Sequence, residues 1–169
     1  MQSFNDREPW EYSPDGAIFS SDRKDRFVLW RIWNRAKPIA MCIGINPSNA
    51  NERNDDPTIR LLKIALKKLD FGGFIVTNLY SVVSSNKEVL LSKKGRVKEN
   101  LTYLKECGTY SEVVIFCWGS NKSITRVETK MIELFPDGKC FGKNSDNTPI
   151  HPRRLSYLKM IEKPSLQKY

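Results

Sequence analysis

Gly44-Ile45-Asn46-Pro47 ends an apolar run with a carboxamide set between a glycine, which admits a ligand close to the backbone, and a proline, which fixes the turn. A carboxamide placed there can orient a water or read a base edge, although it is a poor general base. An ordinary Asn-Pro turn is the competing use. His151-Pro152 supplies the single histidine, in backbone that the proline keeps extended. It can donate to a carbonyl that gains charge, or act as an acid or base, or be only a surface residue. Asn54-Asp55-Asp56-Pro57 places two adjacent carboxylates ahead of a helical pattern. Acids and an N1 proline are common at a helix start, yet either Asp55 or Asp56 could also activate water.

A second group of residues suits phosphate. Gly119, Ser120, Asn121 and Lys122 follow an apolar run, and Lys143, Arg153 and Arg154 lie further on. Helix N-terminal amides, small hydroxyls and cations all bind phosphate oxygens. The whole chain agrees in sign, with 28 Lys plus Arg against 19 Asp plus Glu and a net charge of +9. A cationic surface gains affinity for nucleic acid by releasing counterions; a solvated basic face is the alternative.

Elements that would position these residues follow from the patterning. Residues 13 to 35 read as a hairpin, with strands Ala17–Ser20 and Phe27–Trp33. Ile39–Ile45 is almost wholly apolar, as in a strand buried on both faces. A helix from Pro57 puts Ile59, Leu62, Leu66 and Leu69 on one face and ends at Gly72-Gly73. Strands Phe74–Tyr80, Val113–Trp118 and Lys139–Phe141 alternate with helices Val97–Cys107 and Lys122–Phe135, with a lysine-rich loop at Ser84–Arg96 and a loose tail from Lys163. This alternation predicts an α/β domain with a mainly parallel central sheet, whose ligands sit outside the carboxyl ends of the strands. There the clusters at Asn46, at Asn78 and Tyr80, at Trp118, and at His151 would converge on one cleft. At 169 residues, 40% of them hydrophobic, the chain supports one well-buried core, a single domain with its main body over residues 38 to 162.

Cys42, Cys107, Cys117 and Cys140 show no paired metal spacing and read as reduced core thiols of a cytoplasmic protein. With one histidine, neither a zinc site nor another cofactor is expected. No leader-like or membrane-spanning apolar stretch is expected either.

The order of the motifs resembles the uracil-DNA glycosylase superfamily, with Gly44-Ile45-Asn46-Pro47 similar to its first motif in the mismatch-specific version and Ile150-His151-Pro152-Arg153-Arg154-Leu155 similar to its second. Val76-Thr77-Asn78-Leu79 resembles the strand lining the base pocket, and Phe116-Cys117-Trp118-Gly119 the hydrophobic strand followed by glycine. A closer resemblance is to a bacterial and phage family catalogued as a domain of unknown function, carried by GINPSNANERNDDPTIR from Gly44 to Arg60, Thr77–Ser81, Trp118-Gly119 and His151-Pro152-Arg153. Arg153 stands where the second motif usually has serine, and the first motif lacks the catalytic aspartate of the most active families.

The resemblance implies a three-layer α/β/α glycosylase that flips a pyrimidine out of DNA and hydrolyses its N-glycosidic bond, without a cofactor. The base would be uracil or a bulky modified pyrimidine such as the glucosylated hydroxymethylcytosine of phage DNA, removed as an antiviral defence. Asn46 and the Ile45 backbone would position water, with Asp56 or Asp55 assisting, and His151 would stabilise the departing base. Gly44, Pro47, Ser48 and Asn78 would shape or read the base pocket, and Tyr80 or Trp118 would stack on the base. Gly119, Ser120, Asn121, Lys122, Lys143, Arg153 and Arg154 would hold DNA, with the protein acting as a monomer. A nucleotide-processing enzyme and a non-catalytic reader of modified DNA are the alternatives.

Overall fold

The computed structural model describes residues 9–84, 96–121, 124–157 and 159–169. In chain order the elements are α1 (Pro9–Tyr12), β1 (Asp15–Phe19), β2 (Arg26–Ile32), β3 (Ile39–Gly44), α2 (Pro57–Lys68), β4 (Gly73–Asn78), α3 (Val97–Thr109), β5 (Val113–Phe116), α4 (Thr125–Leu134), β6 (Lys139–Cys140), α5 (Pro152–Tyr157) and β7 (Gln167–Lys168). The strands form one sheet of order β1-β2-β4-β3-β5-β6-β7. β4, β3, β5 and β6 run parallel to their neighbours among themselves. The pairs β1–β2, β2–β4 and β6–β7 are antiparallel.

The expectation of a mainly parallel sheet therefore needs correction: the fold is mixed α/β, with a mixed seven-stranded sheet. The N-terminal hairpin was anticipated as a unit, but its second strand adds directly to β4, against the parallel direction. A second correction concerns the tail from Lys163. β7 pairs with β6, and the Tyr169 ring packs edge-on against Phe116 and Trp118. A two-residue strand is too short to leave a periodic trace in the sequence.

Both sheet faces are buried. On one, Val28, Trp30, Met41, Ile43, Ile75 and Phe116 pack against Tyr103, Leu104 and Cys107 of α3 and Met131 of α4. On the other, Leu29, Ala40, Cys42, Phe74, Val76 and Ile115 pack against Ile59, Leu62, Ala65 and Leu66 of α2 and Leu155 of α5. The α2 residues recur at helical spacing, which is why that helix was legible. Cys42, Cys107, Cys117 and Cys140 are free and buried. A hydrogen bond with the Cys117 thiol, and after it burial, raise the Cys42 pKa well above its ordinary value, which keeps it inert. Among the described residues no helix is long and apolar enough to cross a membrane.

β2 carries an irregularity that matters for the site. Ile18 pairs with Val28, but the next β1 residue, Phe19, pairs with Arg26. Phe27 is therefore an extra residue on β2, a β-bulge. Phe27 and Val28 both join the α3 face, whereas Arg26 lines a cleft with Ile59, Leu62 and Val76, which belong with Leu29 to the other face. Re-aiming a side chain beside a site is a common use of such a bulge.

Candidate active site

The carboxyl ends of β3, β4 and β5 open on a cleft of about 510 Å³. Gly44, Ile45, Asn46, Ser48, Asp56, Asn78, Trp118, Gly119, Ser120, His151 and Arg153 line it, together with Arg26, Thr58 and Ser84. A volume of this size suits a nucleobase with part of its sugar. The end of β3 is held from both sides: Leu79 N donates to Gly44 O at 2.9 Å, Tyr80 N to Ile45 O at 3.0 Å, and Cys117 N to Ile43 O at 3.0 Å. The Ile45 carbonyl expected to position water thus already accepts one bond.

Asn46 donates both amide hydrogens, to Pro47 O at 2.9 Å and Ser84 O at 2.6 Å. That commits Nδ2 to the loop and leaves Oδ1 as an acceptor, the orientation needed to hold a water proton. Asn78, at the end of β4, is 2% exposed, and its Nδ2 has no hydrogen-bond partner. Its backbone carbonyl is held from α3 by Asn100 Nδ2 at 2.9 Å.

His151 begins the turn into α5. Its Nδ1 accepts from Arg153 N at 3.2 Å, so the neutral ring carries its proton on Nε2 and presents a donor there. Gly119 faces it with φ +77, and a Cβ at that position would lie 3.1 Å from His151 Cβ. The positive φ favours glycine there, and the close His151 Cβ would have to give way to any side chain.

The two aspartates separate. Asp55 Oδ1 accepts from the buried Arg31 Nε at 2.8 Å, and Arg31 Nη2 donates to Asn51 O at 2.7 Å. Asp55 lies outside the cleft lining and anchors the loop to β2. Asp56 lines the cleft and caps α2, its Oδ1 accepting from Ile59 N at 2.9 Å. Its second oxygen is the one able to meet water.

Several anticipated contacts lie elsewhere. Pro47 and Tyr80 do not line the cleft. Tyr80 packs against the core of the α3 face, where burial raises its hydroxyl pKa. Trp118 contributes to the lining, but it is only 2% exposed and its Nε1 donates to Glu128 Oε1 at 3.3 Å. Its ring lies 4.7 Å from that of Phe116. Ser120 donates to the Asp146 carboxylate, whose pKa is lowered by that bond and by Thr148. Lys143 is tied to Tyr169, by a 2.8 Å bond to its carbonyl and over its ring. Asn121 and Arg154 stand outside the cleft lining, and Lys122 lies outside the described residues.

Arg26 is the one charged side chain among the lining residues that sequence reasoning missed, which include Thr58 and Ser84. It is 3% exposed, and Nη1 donates to Ala50 O at 2.8 Å. Desolvation outweighs the field of Asp56 and lowers its pKa to about 10. An arginine at the start of RFVLWRI was a visible signal, but strict alternation assigns it to the opposite face.

Within one cleft the β3–α2 segment therefore supplies acceptors, at Asn46 and Asp56. β2, β4 and the start of α5 supply donors, at Arg26, Asn78 and His151. Such a set can hold water on an acceptor while donors receive negative charge from a leaving group. A family model described as a protein of unknown function (DUF1643) matches residues 26–153. No curated protein and no solved structure matches the chain.

Proposed function

We propose that this chain, which belongs to the DUF1643 family, is a DNA glycosylase of three-layer, uracil-DNA glycosylase type that hydrolyses the N-glycosidic bond of a flipped pyrimidine. The observation that carries the reading is the meeting of Asn46, Asn78 and His151 in one cleft at parallel strand ends. The motif order and the helices on both sheet faces support the fold type.

In this mechanism the C1′–N bond breaks first, and its electron pair leaves with the base. The His151 Nε2–H and the Asn78 Nδ2–H donors receive the charge that gathers on the base oxygens. A water held by Asn46 Oδ1 adds to C1′ as its proton passes to Asp56 and on to the departed base. Free base and an abasic deoxyribose are the products. The pyrimidine is uracil or a modified base, and removing a modified base from phage DNA is the defensive use. Arg153 at the cleft and the net charge of +9 favour a polyanionic partner.

The test is alkaline cleavage of labelled oligonucleotides carrying uracil or modified cytosines. Strand scission after incubation with wild-type protein, lost in both Asn46→Ala and His151→Ala, supports the reading. Full activity in both variants would remove the site assignment. A second reading is a nucleotide-processing enzyme, favoured by the Asp146 carboxylate bonded to Ser120, where a DNA phosphate was expected. Turnover of a mononucleotide without DNA selects it.

A further inference from the structure

We infer that Arg26 is a further anion-receiving residue of the cleft, beside His151 and Asn78, placed to pair with a ligand oxygen that carries negative charge. The Phe27 bulge turns Arg26 onto the cleft face. One donor, Nη1, is used by Ala50 O, whereas Nε finds no hydrogen-bond partner. Asp56 acts on the guanidinium favourably, yet the two form no ion pair. A guanidinium that is 3% exposed and lacks a paired carboxylate keeps a desolvation cost that an anionic oxygen would offset. Asn78 Nδ2, likewise buried and unpartnered, lines the same cleft and adds a second donor for the same kind of atom.

The ligand group is therefore an oxygen bearing negative charge. It has two sources: an anionic oxygen on the pyrimidine, whether a substituent or a charge gathered on departure, and the phosphate of a free mononucleotide. Asp56 repels an anion placed on its own side of the cleft, which directs the charged oxygen toward Arg26. The inference deepens the glycosylase reading by naming what the cleft binds, and it rests on that reading only for the choice of source.

The experiment follows the arginine Nε–H resonances of the full-length protein by NMR, with the Arg26 signal assigned by its loss in Arg26→Lys. The probes are 5-carboxyuracil, thymine and inorganic phosphate. The expected result is a shifted Arg26 signal with 5-carboxyuracil, binding at least about tenfold tighter than thymine, and loss of that preference in Arg26→Gln. A shift with inorganic phosphate alone supports the inference with the mononucleotide as source. No movement of the signal with either anion overturns it, as does an undiminished preference in a folded Arg26→Gln. Should that variant fail to fold, the wild-type spectra alone decide. A shifted signal together with no base release from DNA leaves Arg26 as an anion site and removes the glycosylase.

Discussion

A Cβ on Gly44 would lie 2.9 Å from Asn78 Oδ1, so the missing side chain of one residue makes room for the amide of the other. The two are register partners across the parallel β3–β4 ladder. Gly44→Ala is expected to displace the Asn78 amide from its base-reading position. Activity should fall at least about tenfold, the worth of one good base-edge contact. Kinetics with a circular-dichroism control separates this effect from unfolding.

Asn46→Asp is expected to harm the protein. Its carboxylate would face the Pro47 and Ser84 carbonyls, which now accept from the amide. Loss of two donors costs about 1–3 kcal/mol, measured by denaturant unfolding, and lowers activity as well. A gain of activity would show that the loop adjusts and that a stronger base is all the site lacks.

Asp55 and Asp56 should respond in opposite ways. Asp55→Asn leaves the buried Arg31 only the more distant Asp15 carboxylate, at 3.9 Å, and should cost about 1.5–3 kcal/mol of stability. Asparagine caps a helix as well as aspartate, so Asp56→Asn keeps the cap, loses only the field of its carboxylate on Arg26, and should melt closer to wild type than Asp55→Asn. Its base release should nevertheless fall about a hundredfold, because only the carboxylate can take the proton from water. Melting curves and single-turnover rates on both variants check the division.

Acid should weaken the β3–α2 loop. The hydrogen bond from Arg23, its largest influence, lowers the Glu52 pKa below its ordinary value of 4.5. A carboxylate with a depressed folded-state pKa contributes stability above its unfolded value, and loses it as pH falls through the folded one. The pair is more than a third exposed, so solvent screens it and the loss is small. Comparing Glu52→Gln with wild type from pH 6 to pH 3 by urea unfolding should show the smaller pH dependence in the variant.

The elements most legible in the sequence are those with a long, regular signature. α2 showed its capping acid, its N1 proline and an apolar stripe, and β3 its unbroken apolar run. Asn46, Asn78 and His151 were found because strand ends in such an alternation converge. Arg26 was not, because a bulge shifts the parity of β2 and no periodic rule contains it. The separation of Asp55 from Asp56 depended on Arg31, a buried cation in an apolar strand whose partner lies 24 residues away. β7 and the Tyr169 contacts escaped because two residues carry no period.

Mass spectrometry of the bases released from plain, uracil-containing and modified phage DNA tests the central claim most directly. The account predicts a free pyrimidine from at least one of these DNAs, in amounts equal to the abasic sites formed, and none with Asn46→Ala. Folded wild-type protein that binds these DNAs and releases no base from any of them would contradict it.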